Sequence, residues 1–99
     1  METLLQEFSA YCVESVQLSA STALAYRSRI SGLIRAQKIA DISAFSQLTT
    51  AQLADHRAHL PLSVCAGFSS AWNALRSFLF ERGINCVPFD ERNAPGGNS

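Results

Sequence analysis

The strongest constraint on the fold is a run of apolar residues at helical spacing near the C-terminal end of the chain. They recur every three or four positions, at Phe68, Ala71, Trp72, Leu75, Phe78 and Leu79. With about 100° of rotation per residue they share one side of a helix, which must therefore be buried. Gly83 can take the left-handed conformation that ends a helix, and Ile84 then packs against Leu79. The segment predicts a buried helix that begins between Ser63 and Phe68 and ends at Gly83.

Capping signals mark the starts of two further helices. Thr3 and Gln6 have the spacing of a capping box, in which a Thr hydroxyl and a Gln side chain each satisfy a free backbone N–H. They predict a first helix that ends within residues 14–16. Thr49 and Gln52 form a second box, flanked by leucines at the positions of a hydrophobic staple. This second box is the best-specified helix start in the chain.

The remaining boundaries complete an all-α fold. Ser19 or Ser21 can cap a second helix that runs to about Gln37. Pro61 sets the end of the third helix, because the residue before a proline is pushed out of the helical conformation. Residues 41–45 predict a short extra turn of helix. We therefore expect a compact bundle of four main helices with one extra short helix.

The length of the chain fits one domain with a single core. The apolar fraction of 47% excludes bulk disorder. A length of 99 residues is enough for one compact domain but too short for two. We assign residues 1–88 to a helical domain. Residues 89–99 are mostly polar and include two consecutive glycines after a proline, so we expect a flexible tail there.

Composition also excludes several classes of protein. No apolar run approaches the roughly 20 residues needed to cross a bilayer. Glu2 and Glu7 stand where a signal peptide carries basic residues, so we expect a cytoplasmic protein without membrane contact. Three cysteines without paired spacing, Cys12, Cys65 and Cys86, fit neither a disulfide framework nor a zinc site. We expect two of them to be buried and one to be a loop thiol, and we expect no metal or other cofactor.

The charged side chains are unevenly distributed, although eight basic and eight acidic residues balance. No acidic residue lies between Glu14 and Asp41. That interval holds half of the basic residues, namely Arg27, Arg29, Arg35 and Lys38. A second acid-free interval runs from His56 to Phe80. Because an anionic partner responds to the local field, a neutral chain can still present one positive face. The alternative is an ordinary solvated helix surface.

On a helical wheel, the basic residues of the second helix form a strip beside its core face. The core face collects Ala23, Tyr26, Ile30, Leu33 and Ile34. The strip consists of Arg27, Ser31, Arg35 and Lys38, spaced by four, four and three residues. The neighbouring outward positions, Ser28 and Gly32, are small enough to let a phosphate backbone approach.

The polar side of the last helix offers a second candidate surface. Ser70, Asn73 and Ser77 point outward, and Arg76 lies on the flank. Side chains of these types, without intervening acids, are suited to hydrogen bonds with phosphate oxygens or base edges. Together with the strip of the second helix, these four residues form the predicted DNA contact. We place the acidic first helix away from DNA.

The order of several residues resembles a known family. Ten residues match it in order and roughly in spacing: Leu18, Ser19, Thr22, Tyr26, Leu48, Thr49, Leu75, Arg76, Ser77 and Phe78. Over about residues 4–88 the chain resembles the N-terminal core-binding domain of tyrosine recombinases, also called phage integrases. The resemblance implies a SAM-like helical fold, a role in DNA integration and recombination, and DNA contact through the second and fourth helices.

Catalysis is not expected of this chain. The resemblance implies a chemistry that needs a tyrosine nucleophile, two arginines and a His-x-x-Arg element in a following domain. Neither His56 nor His59 has an arginine three residues on. Tyr11 and Tyr26 lie on helices with apolar stripes, so we expect both to pack against the core. We expect the two histidines at the surface, with His59 paired to Asp55.

Two functional interpretations remain open. The first is a domain that binds double-stranded DNA without cutting it. The second is a small helical module for protein–protein interaction. Phe80 favours keeping the second, because it projects from the polar side of the last helix and can contact another protomer or a catalytic domain.

Overall fold

The computed structural model describes residues 2–65 and 67–89, and within these residues it contains helices and no strand. In chain order the elements are α1 (Glu2–Glu14), α2 (Ala20–Gln37), a 3₁₀-helix (Ile42–Gln47), α3 (Thr50–Ala58), α4 (Leu62–Cys65) and α5 (Phe68–Phe80). The predicted all-α bundle is confirmed, with α1, α2, α3 and α5 as its main helices. No helix in the described part of the chain combines the length and the apolar character needed to cross a membrane.

Helix α5 lies at the centre of the bundle and packs against α1, α2 and α4. All six residues of its predicted apolar side are buried. The ring of Trp72, which has no exposed surface, lies 6.3 Å from the ring of Phe45 of the 3₁₀-helix. The ring of Phe78 lies 5.8 Å from that of Phe8 of α1. Aromatic side chains therefore join α5 to elements on both of its sides.

The end of α5 has the predicted form. The helix stops at Phe80, and a turn over residues 81–83 follows. Gly83 has φ +83°, its N–H donates to the carbonyl of Phe80 at 3.0 Å, and the N–H of Ile84 donates to the carbonyl of Leu79 at 3.0 Å. These two bonds define a Schellman motif, in which glycine takes the left-handed position that other residues disfavour.

Two of the predicted helix starts are confirmed. The Ser19 hydroxyl caps α2 by accepting from the N–H of Thr22 at 3.2 Å. At α3 the Thr49 hydroxyl accepts from the N–H of Gln52 at 3.1 Å, and the Gln52 side chain accepts from the N–H of Thr49 at 2.9 Å.

The predicted cap at Thr3 is wrong, because α1 already includes Glu2 and Thr3 therefore lies inside its first turn. Leu4 and Leu5 are both buried in the core. Tertiary packing of these leucines holds the first turn, and it outweighs the local capping signal.

Helix α2 ends in a strained conformation. Lys38 has φ 55° and ψ 49°, in the left-handed region, and its N–H donates to the carbonyl of Ile34. The N–H of Ile39 donates to the same carbonyl at 3.0 Å. The turn thus closes with a lysine at a position that usually holds glycine.

The 3₁₀-helix covers the predicted short turn. Asp41 caps it by accepting from the backbone N–H groups of Ser43 and Ala44 at 3.0 and 3.3 Å. The Ser43 hydroxyl also donates to this carboxylate and, with the backbone donors, lowers the pKa of Asp41. From the sequence we expect this turn to bury Ile42 and Phe45; Phe45 is fully buried, whereas Ile42 is only half-buried.

The folded part of the chain reaches at least Phe89, one residue beyond the predicted boundary at residue 88. The side chain of Phe89 is only 1% exposed, and its ring lies 5.8 Å from the ring of Phe68. Phe89 therefore belongs to the core and not to the tail, because a buried aromatic ring is a strong anchor. Residues 90–99, the rest of the predicted tail, lie outside the described residues.

The two threonines that carry capping signals should respond differently to truncation. Thr49→Ala should lower the free energy of unfolding by about 1 kcal/mol, because it removes the acceptor for the Gln52 N–H. Thr3→Ala should change it by less than about 0.5 kcal/mol, because the Thr3 hydroxyl caps nothing. Urea unfolding followed by circular dichroism measures both. Equal losses would contradict this assignment of the helix starts.

Candidate nucleic-acid interface

Three residues of the predicted strip lie on α2, and the fourth, Lys38, caps its C-terminal end; we call Arg27, Ser31, Arg35 and Lys38 the α2 strip. Arg35 and Lys38 are exposed, whereas Ser31 and Arg27 are half-buried. The Arg35 Nη1 donates to the Ser31 hydroxyl at 3.4 Å, a weak bond one helical turn apart. Arg35 and Lys38 are therefore the cations of the strip that solvent reaches most easily.

The strip borders a shallow hollow of about 300 Å³ between the first turn of α1 and the outward side of α2. Its lining combines basic, small polar and apolar side chains with one carboxylate: Glu2, Leu5, Leu24, Arg27, Ser28, Ser31 and Arg35. Leu24 is 56% exposed at its edge. The hollow offers two guanidinium groups and two hydroxyls to an anion.

Arg27 is not free in this arrangement. Its Nη2 donates to the Oε2 of Glu2 at 2.6 Å, and the side chains of Arg27 and Glu2 are 30% and 70% exposed. The expectation that the acidic first helix lies away from the predicted contact surface is therefore wrong for Glu2, because α1 packs along α2. Glu7, further along α1, pairs instead with Arg82 beyond α5 at 2.7 Å.

The small residues predicted beside the strip, Ser28 and Gly32, leave free space at the surface of α2. A Cβ added at Gly32 would have no atom of another element within 4 Å. Ser28 is exposed one turn away. Arg29, the fourth basic residue of this interval, has a different role, because its Nε donates to the carbonyl of Val64 at 3.1 Å and ties α2 to α4.

Two of the four predicted contacts on α5 are used inside the fold. The Asn73 Nδ2 donates to the carbonyl of Phe89 at 2.9 Å, and the Arg76 Nε donates to the carbonyl of Cys86 at 3.1 Å. Between them, the Trp72 indole N–H donates to the carbonyl of Val87 at 2.8 Å. We call these three bonds the C-terminal clasp. Asn73 and Arg76 thus hold the segment after α5 against that helix, a role that the sequence did not predict.

Two of the predicted α5 residues, Arg76 and Ser77, face a different hollow from that of the α2 strip. This hollow, about 500 Å³, is lined by Tyr11, Arg76, Ser77, Phe80, Glu81, Asn85 and Cys86. Ser70 and Ser77 are exposed, as predicted. Phe80 is 67% exposed, as its place on the polar side requires. The predicted interface therefore divides into two surfaces, and only that on α2 gathers basic side chains.

The tyrosines have the environment of packed side chains. The Tyr11 ring lies 5.3 Å from the ring of Phe78. Burial raises the pKa of the Tyr11 hydroxyl, and the nearby charge of Glu81 adds to the effect. Tyr26 is half-buried against the core. A nucleophilic tyrosine needs stabilisation of its deprotonated form, and Tyr11 has the opposite surroundings.

Of the two histidines, His59 has the predicted surface position and His56 does not. His59 Nδ1 lies 2.8 Å from the backbone carbonyl of Asp55 and 4.0 Å from its carboxylate. His56 is half-buried, with its ring 5.2 Å from that of Phe68. Burial lowers the pKa of His56, and the charge of His59 acts in the same direction while Asp55 opposes it. The surface prediction is wrong for His56 because this side of α3 faces Phe68 of α5.

The cysteines match the prediction of two buried residues and one loop thiol. Cys12 and Cys65 are buried, and Cys86 is half-buried in the segment after α5. Burial raises the pKa of the Cys12 and Cys86 thiols. Within residues 2–65 and 67–89, no three His, Cys, Asp or Glu side chains are grouped as a metal ion requires.

Comparison of the chain with protein-family models, with curated proteins and with solved structures finds no match in any of the three. The resemblance to the core-binding domain of tyrosine recombinases therefore stays a prediction from the residues quoted above.

The C-terminal clasp should be visible in stability measurements. Asn73→Ala and Arg76→Met should each lower the free energy of unfolding by about 1 kcal/mol, because each leaves a carbonyl of the segment after α5 without its donor. Ser70→Ala and Ser77→Ala, on the same helix but exposed, should change it by less than about 0.5 kcal/mol. Urea unfolding of the four variants compares them. If the serine variants lose as much as the other two, the clasp does not stabilise the fold.

Stability should also fall on mild acidification because of His56. Its pKa is lowered in the folded state, so the unfolded state binds more protons as the pH falls through about 6.5. The stabilising contribution is thus fully present above that pH and is lost below it. Urea unfolding at about pH 7.5 and about pH 5.5 measures the loss. His56→Gln should weaken this pH dependence, and His59→Gln should retain it.

Proposed function

We propose that this chain is a DNA-binding domain that grips the phosphate backbone of double-stranded DNA through the α2 strip. The observation that carries the proposal is the charge of α2 and its C-terminal cap, which together have four basic residues and not one acidic residue. Arg35 and Lys38 present this charge to solvent. Exposed cations are the sequence-independent means by which proteins hold the phosphate backbone of DNA.

The dimensions of the strip fit a duplex. From Arg27 to Lys38 it extends about 16 Å along the helix axis. The major groove is about 12 Å wide, so the two ends of the strip can reach phosphates on its opposite sides. Ser28 and Gly32 lie outward between them, and their small size allows close approach.

The recombinase resemblance supports the same surface. In that family the second helix faces DNA, and Ser19, Thr22 and Tyr26 of the matching pattern belong to α2 or its cap. Because the clasp binds Asn73 and Arg76 to the segment after α5, the proposal relies on the α2 strip and not on α5. The proposal assigns no cleavage or ligation to this chain, only the gripping of DNA.

A protein–protein interaction module is the second candidate, and one observation favours it. Phe80 is 67% exposed beside the larger hollow, and an exposed aromatic ring at the edge of a hollow is typical of a contact surface. Its contact would be with another protomer or with a catalytic domain, as proposed from the sequence. The DNA-binding experiment distinguishes the two candidates.

Binding to a labelled duplex of random sequence should weaken steeply with salt. The logarithm of the association constant should fall against the logarithm of salt concentration with a slope between about −2 and −3, for two to three neutralised phosphates. Arg35→Ala and Lys38→Ala should each reduce the magnitude of that slope by about 0.9, because each removes one phosphate contact. Fluorescence polarisation at several salt concentrations measures this.

The matched control is Arg82→Ala, which removes the same charge from a residue paired with Glu7 away from α2. It should leave the slope unchanged. Gly32→Ala tests whether the phosphate backbone approaches α2 closely at this position. The change should raise helix stability by about 0.5–1 kcal/mol, yet the added methyl group should weaken DNA binding. No binding at low salt, or binding unaffected by the double change Arg35→Ala with Lys38→Ala, would favour the protein-interaction candidate.

A further inference from the structure

The carboxylate of Glu2 lies where an anionic ligand of the α2 strip would bind. It accepts from Arg27 at 2.6 Å within the hollow that also presents Arg35, Ser28 and Ser31. Carboxylate and phosphate oxygens are bound by guanidinium groups in the same way. Glu2 thus makes, within the chain, the contact that a phosphate would make with Arg27.

We propose that Glu2 is a built-in competitor of DNA phosphate for Arg27, so that the chain itself limits its affinity for DNA. This inference rests on the proposed function. In the unbound protein Arg27 is held by Glu2, and a phosphate that enters the hollow must displace the carboxylate. Arg35 and Lys38, which have no acidic partner among the described residues, make the first contact.

The exposure of the two partners favours such an exchange. The Glu2 side chain is 70% exposed and can swing into solvent, whereas the Arg27 side chain is 30% exposed and stays at the hollow. Ion pairs this exposed contribute little to stability, so their loss leaves the fold intact.

A second ion pair on the same helix supplies a matched control. Glu7 of α1 binds Arg82 at 2.7 Å, with side chains 45% and 43% exposed. Glu7→Gln and Glu2→Gln therefore change the net charge equally, and each breaks one exposed ion pair of α1. Only Glu2 lies in the hollow beside the α2 strip.

The test is the affinity of the full chain for the labelled random duplex at low salt. Glu2→Gln should raise the affinity about two- to five-fold, the factor that corresponds to an exposed ion pair. It should also make the salt slope steeper by up to about 0.9, because Arg27 gains a full phosphate contact. Glu7→Gln should change neither beyond the small effect of net charge.

A double-mutant cycle completes the test. Arg27→Ala should weaken binding by a larger factor in the Glu2→Gln background than in the unaltered chain, because the competitor is then absent. Equal effects of Glu2→Gln and Glu7→Gln, or no coupling between Glu2 and Arg27, would overturn the inference while binding through Arg35 and Lys38 persisted. Failure of the proposed function is distinct, because no variant would then bind DNA at any salt concentration.

Discussion

The fold depends on satisfying the indole N–H of Trp72 inside a dry core. The side chain has no exposed surface, and an unsatisfied buried donor costs about 1–3 kcal/mol. The carbonyl of Val87 accepts from it at 2.8 Å, and that bond requires the chain to turn back along α5 after the helix ends. Gly83 makes the reversal possible, and Phe89 fills the core at its far end. The central helix and the segment that follows it are therefore one structural unit.

This return of the chain decides which polar side chains are available to a partner. Asn73 and Arg76 follow Trp72 on α5, and both donate to the returning backbone. Within residues 2–65 and 67–89 no returning segment covers Arg35 and Lys38, and both side chains are exposed. The candidate interface thus follows from the packing of the core as much as from the distribution of charge.

The features that could be predicted from the sequence are local ones. The Thr49 capping box and the end of α5 at Gly83 involve residues within about five positions of each other, and spacing alone identifies such interactions. The clasp bond of Asn73 and the pairing of Glu2 with Arg27 join residues 16 and 25 positions apart. A helical wheel shows which side of a helix is polar, but it contains no information on which distant segment will cover that side.

Lys38 places the last cation of the α2 strip on a residue in left-handed conformation. A side chain with a Cβ there costs roughly 1–2 kcal/mol relative to a right-handed helical residue. Its positive charge near the last carbonyls of α2 recovers only about 0.3–1 kcal/mol from the helix dipole. The final turn of α2 is therefore the weakest part of that helix, and it should fray before the rest unwinds. A lysine on a fraying end samples a larger volume than one on a rigid turn. This end of the helix can therefore contact an anion before the rest of the surface has aligned with it.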